Sequence, residues 1–444
     1  MTPHGSRSSA IVALALLLAL RARVVRASQD PATDPTRDRP HVLTLALAIQ
    51  EGLASDPRVG AEAESVRQAE ADVRTASQPP NPSLSFSRSL VPFGSAFTPD
   101  RQGGPTQLDV ELSYPLDWIV FGKRGAAVSS ASVGLAQARA AFGDFLRQRR
   151  SEIAVAFVDV LEARDLLDLA RQDATDLERL QAIAQQRVAV GGAPAVEVDR
   201  TAVAVLEARR EGRRREAALR VARATLAASL GRTGADAEFE AEGDLGVGTP
   251  GASPDVATLL LLAEKARPDM LARRHAVDRA AADLHLARSQ AWPSLTSRVA
   301  YSRQYQASLG FPDATSYGFG LDIALPLFDR NQGGVGKAAS AQAQTELQLR
   351  AALLALGVEV QQAASEYAVA REAALSEDRA QLEAAQRVRE RVEKAYELGG
   401  RPLLEVLDAQ RVYREAARQS TSGRAAILRA IHRLNAAVGQ EVVP

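Results

Sequence analysis

Gly191-Gly192-Ala193-Pro194-Ala195-Val196-Glu197 and Gly399-Gly400-Arg401-Pro402-Leu403-Leu404-Glu405 are one motif met twice, 208 residues apart. In each copy the glycine pair suits a left-handed helix cap and the proline suits the start of a new helix, so the chain reverses there. Upstream of the reversals, 123–190 and 334–398 contain no proline and read as helices of roughly 100 Å each. No compact domain is that long. Downstream, about 196–230 and 403–438 read as returning helices of roughly 50 Å.

The duplication reaches far beyond the reversals. Gly231 recurs as Gly439 at the same offset of 208, and Pro57, Pro82 and Pro115 recur as Pro268, Pro293 and Pro326, each 211 later. Leu45 to about Ala76, and about Asp255 to Ala291, carry apolar and alanine positions at helical spacing and read as one helix each. Four strands are expected, at about 83–91, 107–116, 294–302 and 316–327. Leu84, Phe86 and Leu90 alternate with serines; Leu108, Val110, Leu112 and Tyr114 alternate with Gln107, Asp109, Glu111 and Ser113; and Tyr317, Phe319, Leu321 and Ile323 alternate with small or acidic residues. A half-buried soluble strand is the commoner source of such a pattern, but four strands amid so much helix have no second layer to cover them. Strands of about ten residues with one apolar face match transmembrane barrel strands, with the loops Pro92–Pro105 and Arg303–Thr315 outside. Four strands cannot close a barrel, whereas three copies supply twelve.

The expected fold is therefore mainly α with a transmembrane β-barrel portion. Two helix-strand-strand-long helix-helix repeats, 45–231 and 255–439, are joined by a connector at 232–254 and followed by a tail at 440–444. As a trimer they would form a 12-stranded barrel and a long α-helical tube. Asp109, Glu111 and Asp322 are expected to face the lumen, and Trp118, Phe121, Tyr301, Tyr305 and Phe311 the membrane interfaces.

Composition narrows the function. Lys+Arg and Asp+Glu both number 54, so no basic field attracts nucleic acid. Aromatics are only 5% of residues, too few for several deep cores. There is no cysteine, which excludes disulfides, thiolate metal sites and a lipid anchor on cysteine. Arg7, the apolar run Ile11–Leu20 and the small residues Val25 and Ala27 read as a signal peptide over 1–27, with 28–44 a linker. The spacing of His275, Asp278 and His285 does not put both histidines on one helix face, so no metal site, and no other cofactor site or catalytic constellation, is expected.

The two-fold repeat, the strand pairs ending in Pro115 and Pro326 and the G-x5-[DE] reversals resemble the TolC family of outer-membrane efflux factors over nearly the whole mature chain. Phe121-Gly122-Lys123-Arg124 and Pro326-Leu327-Phe328-Asp329-Arg330-Asn331-Gln332-Gly333 are similar to the heavy-metal, CzcC- and CusC-like branch. The resemblance implies a homotrimer in outer-membrane lipid with a long periplasmic α-helical tube, a periplasmic adaptor (membrane fusion protein) and an inner-membrane resistance-nodulation-division pump. It implies a passive exit duct; the exit duct of a type I protein-secretion system or a soluble coiled-coil scaffold are the alternatives. Glu405 and Asp408 match the family's acidic gate rings, and two rings of carboxylates would favour cations; a helix start enriched in acids is the plainer origin of such a pair. Tyr396, Arg401 and Glu197 match residues that keep the tip closed. Val196 and Arg200 depart from the family's pattern beside that acid. Gly191, Gly192, Pro194, Gly399, Gly400 and Pro402 fall on the tip turns, where an adaptor docks.

Overall fold

A computed structural model describes residues 41–443 apart from 92, 96–97, 101–102, 234–238, 247–250 and 253. The signal peptide expected at 1–27, and the linker up to residue 40, lie outside the described residues. The first repeat runs β1 (His41–Leu43), α1 (Leu45–Ser55), α2 (Pro57–Ser77), β2 (Ser83–Ser89), β3 (Thr106–Pro115), the single turn α3 (Asp117–Val120), α4 (Lys123–Ala189) and α5 (Val196–Ser229). After β4 (Phe239–Ala241), the second runs α6 (Val256–Ala266), α7 (Pro268–Ser289), β5 (Ser294–Tyr305), β6 (Ala314–Ala324), α8 (Gln332–Glu372), a π-helical turn (Ala373–Glu377), α9 (Asp378–Glu397) and α10 (Leu403–Val438).

Two expectations about the helices are corrected. The helices expected to run unbroken over 45–76 and 255–291 are each two helices, because the residue before a proline is driven out of the helical region. Asp56 (ψ 118°) and Arg267 (ψ 123°) are extended at those breaks. The second long helix is interrupted by the π turn, whereas α4 runs 67 residues without one. The end of the linker and the connector meet: β1 and β4 pair, with the Glu242 N–H donating to the Leu43 carbonyl at 2.9 Å.

Each helix break carries a buried charge held by a partner on the long helix, and the two are of opposite sign; the Asp56–Arg149 pair is buried on both sides, whereas the partner of Arg267, Glu359, is half-exposed. Asp56 is 3% exposed and accepts from Arg149 Nη2 of α4 at 2.6 Å; the same nitrogen donates to the Ser229 carbonyl of α5 at 3.4 Å. In the second repeat the cation sits at the break. Arg267 reaches Glu359 of α8 at 2.7 Å and donates to the Ala437 carbonyl of α10 at 3.0 Å. Ser229 and Ala437 are 208 apart, so both locks use the same carbonyl of the returning helix. Burial acts to raise the Asp56 pKa, but hydrogen bonds from Arg58 and the charge of Arg149 outweigh it and hold the carboxyl below its ordinary value.

The strands form one antiparallel sheet in the order β2-β3-β5-β6. Its register lines up Leu84, Leu112, Val299 and Phe319 in one row, and Phe86, Val110, Tyr301 and Tyr317 in the next. Ser85, Glu111, Ala300 and Gly318 make a row of the opposite face, and so do Ser87, Asp109, Ser302 and Ser316. Arg298 on that polar face contacts Asp322 and lies 3.8 Å from Glu111. β6 ends at Ala324, short of the expected 327, because Pro326 has no N–H to donate. Aromatic residues mark both ends of the sheet: Phe121 stacks on Trp292 at 5.6 Å at the helical end, while Tyr305 and the exposed Phe311 mark the other. At the helical end Lys123 bridges Asp117 (2.8 Å) and the Pro293 carbonyl (3.3 Å), tying the repeats together.

Three apolar clusters follow the helices. Leu43, Ile153, Phe157, Leu226 and Phe239 pack around the β1–β4 pair; Leu259, Leu356, Tyr367, Ile427 and Leu434 pack in the second repeat; and Leu177, Leu180, Val205, Tyr396, Leu403 and Val406 pack near the reversals. No described helix is long and apolar enough to cross a membrane.

Candidate functional site

Both helix reversals are closed by the same pair of backbone bonds. Gly191 and Gly399 have φ of 74° and 80°, a region costly for any residue with a Cβ. The Gly192 N–H donates to the Arg187 carbonyl and the Gly400 N–H to the Ala395 carbonyl, each at 2.8 Å, which satisfies carbonyls left free at a helix end. Pro402 caps α10 and Pro194 precedes the cap of α5; each proline carbonyl accepts the N–H three residues on, from Glu405 and Glu197.

The structure brings Tyr396 and Glu197 together. Tyr396 is fully buried at the end of α9, and its hydroxyl donates to Glu197 Oε2 at 2.8 Å. Burial, then the Glu197 hydrogen bond and charge, push the Tyr396 hydroxyl up to about 12, so it stays protonated and donating throughout the physiological range. Sequence reasoning missed Arg187. Its guanidinium lies 4.4 Å from the Tyr396 ring centroid and donates to the Tyr396 carbonyl at 2.9 Å and the Gly192 carbonyl at 3.2 Å. The only signal in the chain was a cation in the last turn of a helix, which is a common place for one.

Arg401, Glu405 and Asp408 are arranged differently. Arg401 Nη1 is 3.0 Å from Glu405 Oε2 within one turn, and Arg411 Nη2 is 2.8 Å from Asp408 Oδ1. Each acid therefore carries a nearby arginine, Arg401 from the reversal just before α10 and Arg411 from α10 itself. Glu405 and Asp408 line the groove between α9 and α10 with Val388, Val392 and Val412. Deeper along the helices, Arg389 stacks 3.9 Å from the Tyr413 ring centroid and reaches Asp176 at 3.4 Å, Gln410 donates to Glu393, and Arg414 reaches Asp173 at 3.1 Å. Burial raises the pKa of Asp173 and of Glu393; the charge of Arg414 opposes it at the first, and those of Arg389 and Arg179 at the second. His275 lies 3.7 Å from Asp278, and no group of three potential metal ligands converges among the described residues.

The profile of the outer membrane efflux protein family matches residues 48–232 and 259–440, one block in each repeat. This chain belongs to that family. The cobalt-zinc-cadmium resistance protein CzcC of Cupriavidus metallidurans is 27% identical over 375 residues, 84% of either chain. The outer membrane protein VceC of Vibrio cholerae superposes with a TM-score of 0.74 at 19% identity, over 90% of this chain and 96% of VceC. CusC, solved to follow folding and transmembrane channel formation, superposes with a TM-score of 0.71 at 20% identity, over 89% and 92%. The fold is thus that of an outer-membrane efflux channel, with strands in the membrane and helices extending into the periplasm. The heavy-metal resemblance of the two short junction motifs agrees with the CzcC similarity. In the structure both motifs join the sheet to a long helix, where Gly122 and Asn331 adopt left-handed conformations and Asn331 Nδ2 donates to the Ala287 carbonyl at 2.8 Å.

Proposed function

We propose that three copies of this chain close edge to edge into a passive exit duct, and that its cargo is heavy-metal cations delivered by an inner-membrane pump of the resistance-nodulation-division type through a periplasmic adaptor. The observation that carries the reading is the sheet. One face presents apolar rows to the surroundings, with Phe319 83% exposed, and among the described residues β2 and β6 each pair on one side only. Unpaired strand edges are not tolerated in lipid, and closure through further copies satisfies them. The polar rows then line water, which is where Asp109, Glu111, Arg298 and Asp322 lose no hydration. The metal cargo rests on the similarity to CzcC, a cobalt, zinc and cadmium resistance protein by name.

At the other end, the turns at Gly191, Gly192 and Pro194 and at Gly399, Gly400 and Pro402 form the surface offered to the adaptor. Glu405 and Asp408 form two rings there, and Tyr396 with Glu197 helps to hold the tip closed. Native mass spectrometry of protein extracted from outer membranes, followed by conductance in planar bilayers, tests the duct: trimers that conduct are expected, and a monomer without conductance overturns it. A deletion strain losing tolerance to zinc, cobalt or cadmium identifies the cargo. Unchanged metal tolerance with loss of an exported protein would place the chain in a secretion system instead.

A further inference from the structure

We infer that Arg187 is the positioning residue of the closed tip, a single guanidinium that clips the two helical hairpins of one chain together and holds Tyr396 against Glu197. This rests on the duct reading above. Arg187 sits in the last turn of α4 and serves two helix ends at once. One nitrogen donates to the Gly192 carbonyl in its own reversal, another to the Tyr396 carbonyl in the last turn of α9, and its plane lies against the Tyr396 ring. The Tyr396 carbonyl sits in the last turn of α9 and the Gly192 carbonyl in the reversal just beyond α4, the ends of helices where a cation is favoured. A planar fork that binds two carbonyls and stacks on a ring is chemistry that arginine performs and lysine does not.

The consequence is geometric. The Tyr396 ring cannot leave its buried position without losing the Arg187 stack and its own bond to Glu197, and drawing α9 away from α4 loses the Arg187 bond to the Tyr396 carbonyl as well. Glu197 belongs to the first hairpin, so all three contacts join the first hairpin to the second. The position 208 residues after Arg187 is Ala395, so the second repeat has no matching cation there. The clip is one-sided, and separating the hairpin tips breaks it whole.

The test is single-channel recording of full-length trimers carrying R187A, R187K and Y396F, with thermal melting of each trimer as the control for structure. R187A is expected to raise conductance severalfold while melting stays within a few degrees of wild type. R187K is expected to open partially, and R187A added to Y396F to raise conductance less than R187A alone, since both act on one ring. R187A or R187K trimers that conduct like wild type while Y396F opens would overturn the assignment. Should R187A fail to assemble, R187K decides by the same criterion. Wild-type protein that forms no conducting trimer would instead remove the duct reading itself.

Discussion

The buried pair Asp56–Arg149 allows a sharp test of how the long helices are held. Replacing Arg149 by alanine strands a carboxylate whose side chain is 2% exposed and frees the Ser229 carbonyl that the guanidinium also contacts. Breaking a buried pair from one side costs about 3–5 kcal/mol. Arg58 stays 3.2 Å from Asp56 and is largely exposed, which places the cost near the lower bound, about 3 kcal/mol. Unfolding entropy at about 2.1 cal/mol/K per residue amounts to about 0.9 kcal/mol/K for 444 residues, so the melting temperature should fall by about 3 °C. The second repeat supplies the rescue, because it runs the same lock with the charges exchanged. Asp56→Arg combined with Arg149→Glu should lose the cap that Asp56 places on the Arg58 N–H, about 1 kcal/mol, together with the half-exposed Arg58–Asp56 bridge. The double change should therefore melt above either single one. The assay is melting of detergent-solubilised trimers at fixed protein concentration, since assembly contributes to apparent stability. Singles that add up to the double, with no recovery, would show that the polarity of the lock is immaterial and refute the reasoning.

Three further outcomes are expected. Val299→Arg, in the centre of an apolar row, should cost about 2–4 kcal/mol of membrane insertion, whereas Ser302→Arg on the polar face should be tolerated; equal yields of outer-membrane trimer from both would contradict the assignment of faces. Tyr367→Phe removes the bond its buried hydroxyl donates to the Gly251 carbonyl at 2.6 Å and should cost about 1 kcal/mol in urea unfolding, with the connector becoming more sensitive to protease. The pH profile should have two limbs. Asp173 and Glu393 have raised pKa values, so their ionised forms cost folded-state stability that is recovered as pH falls through those values; the lowered Asp56 and Asp269 stabilise above the ordinary carboxylate range and lose that contribution below about pH 4. Melting should thus rise slightly on mild acidification and then fall, and Asp173→Asn with Glu393→Gln should abolish only the rise; a profile that falls throughout in the wild type would contradict this.

What could be read from the chain was whatever repeats at short range. Period-two alternation is written into each strand, so Leu84, Val110 and Phe319 are apolar where the sheet needs it, and the glycines at 191 and 399 stand where φ is positive. Pro57 and Pro268 were visible too, yet the helical periodicity continues across them and hid the breaks. The β1–β4 pair could not be seen because three residues make no pattern, and its two strands lie nearly 200 positions apart. The π turn contains neither proline nor glycine. Of the candidate tip residues, the Tyr396–Glu197 contact came from resemblance to the family, while Arg187 escaped because Tyr396, the partner that gives it a role, sits on the other hairpin. The Arg401–Glu405 and Arg411–Asp408 pairs follow helical spacing and were overlooked, though each places a cation on an acid proposed for the pore.

A tandem duplication creates a polypeptide whose halves can exchange partners while it folds. The opposed locks make that exchange costly: α4 laid against the break of the second repeat would set Arg149 on Arg267, and α8 laid against the first would set Glu359 on Asp56. Each mistaken docking would set a like charge against the buried Asp56 or Arg267 where the native one sets an opposite charge. The two copies thus carry opposite charges at equivalent breaks, a difference by which the chain would tell its own halves apart before any neighbour arrives.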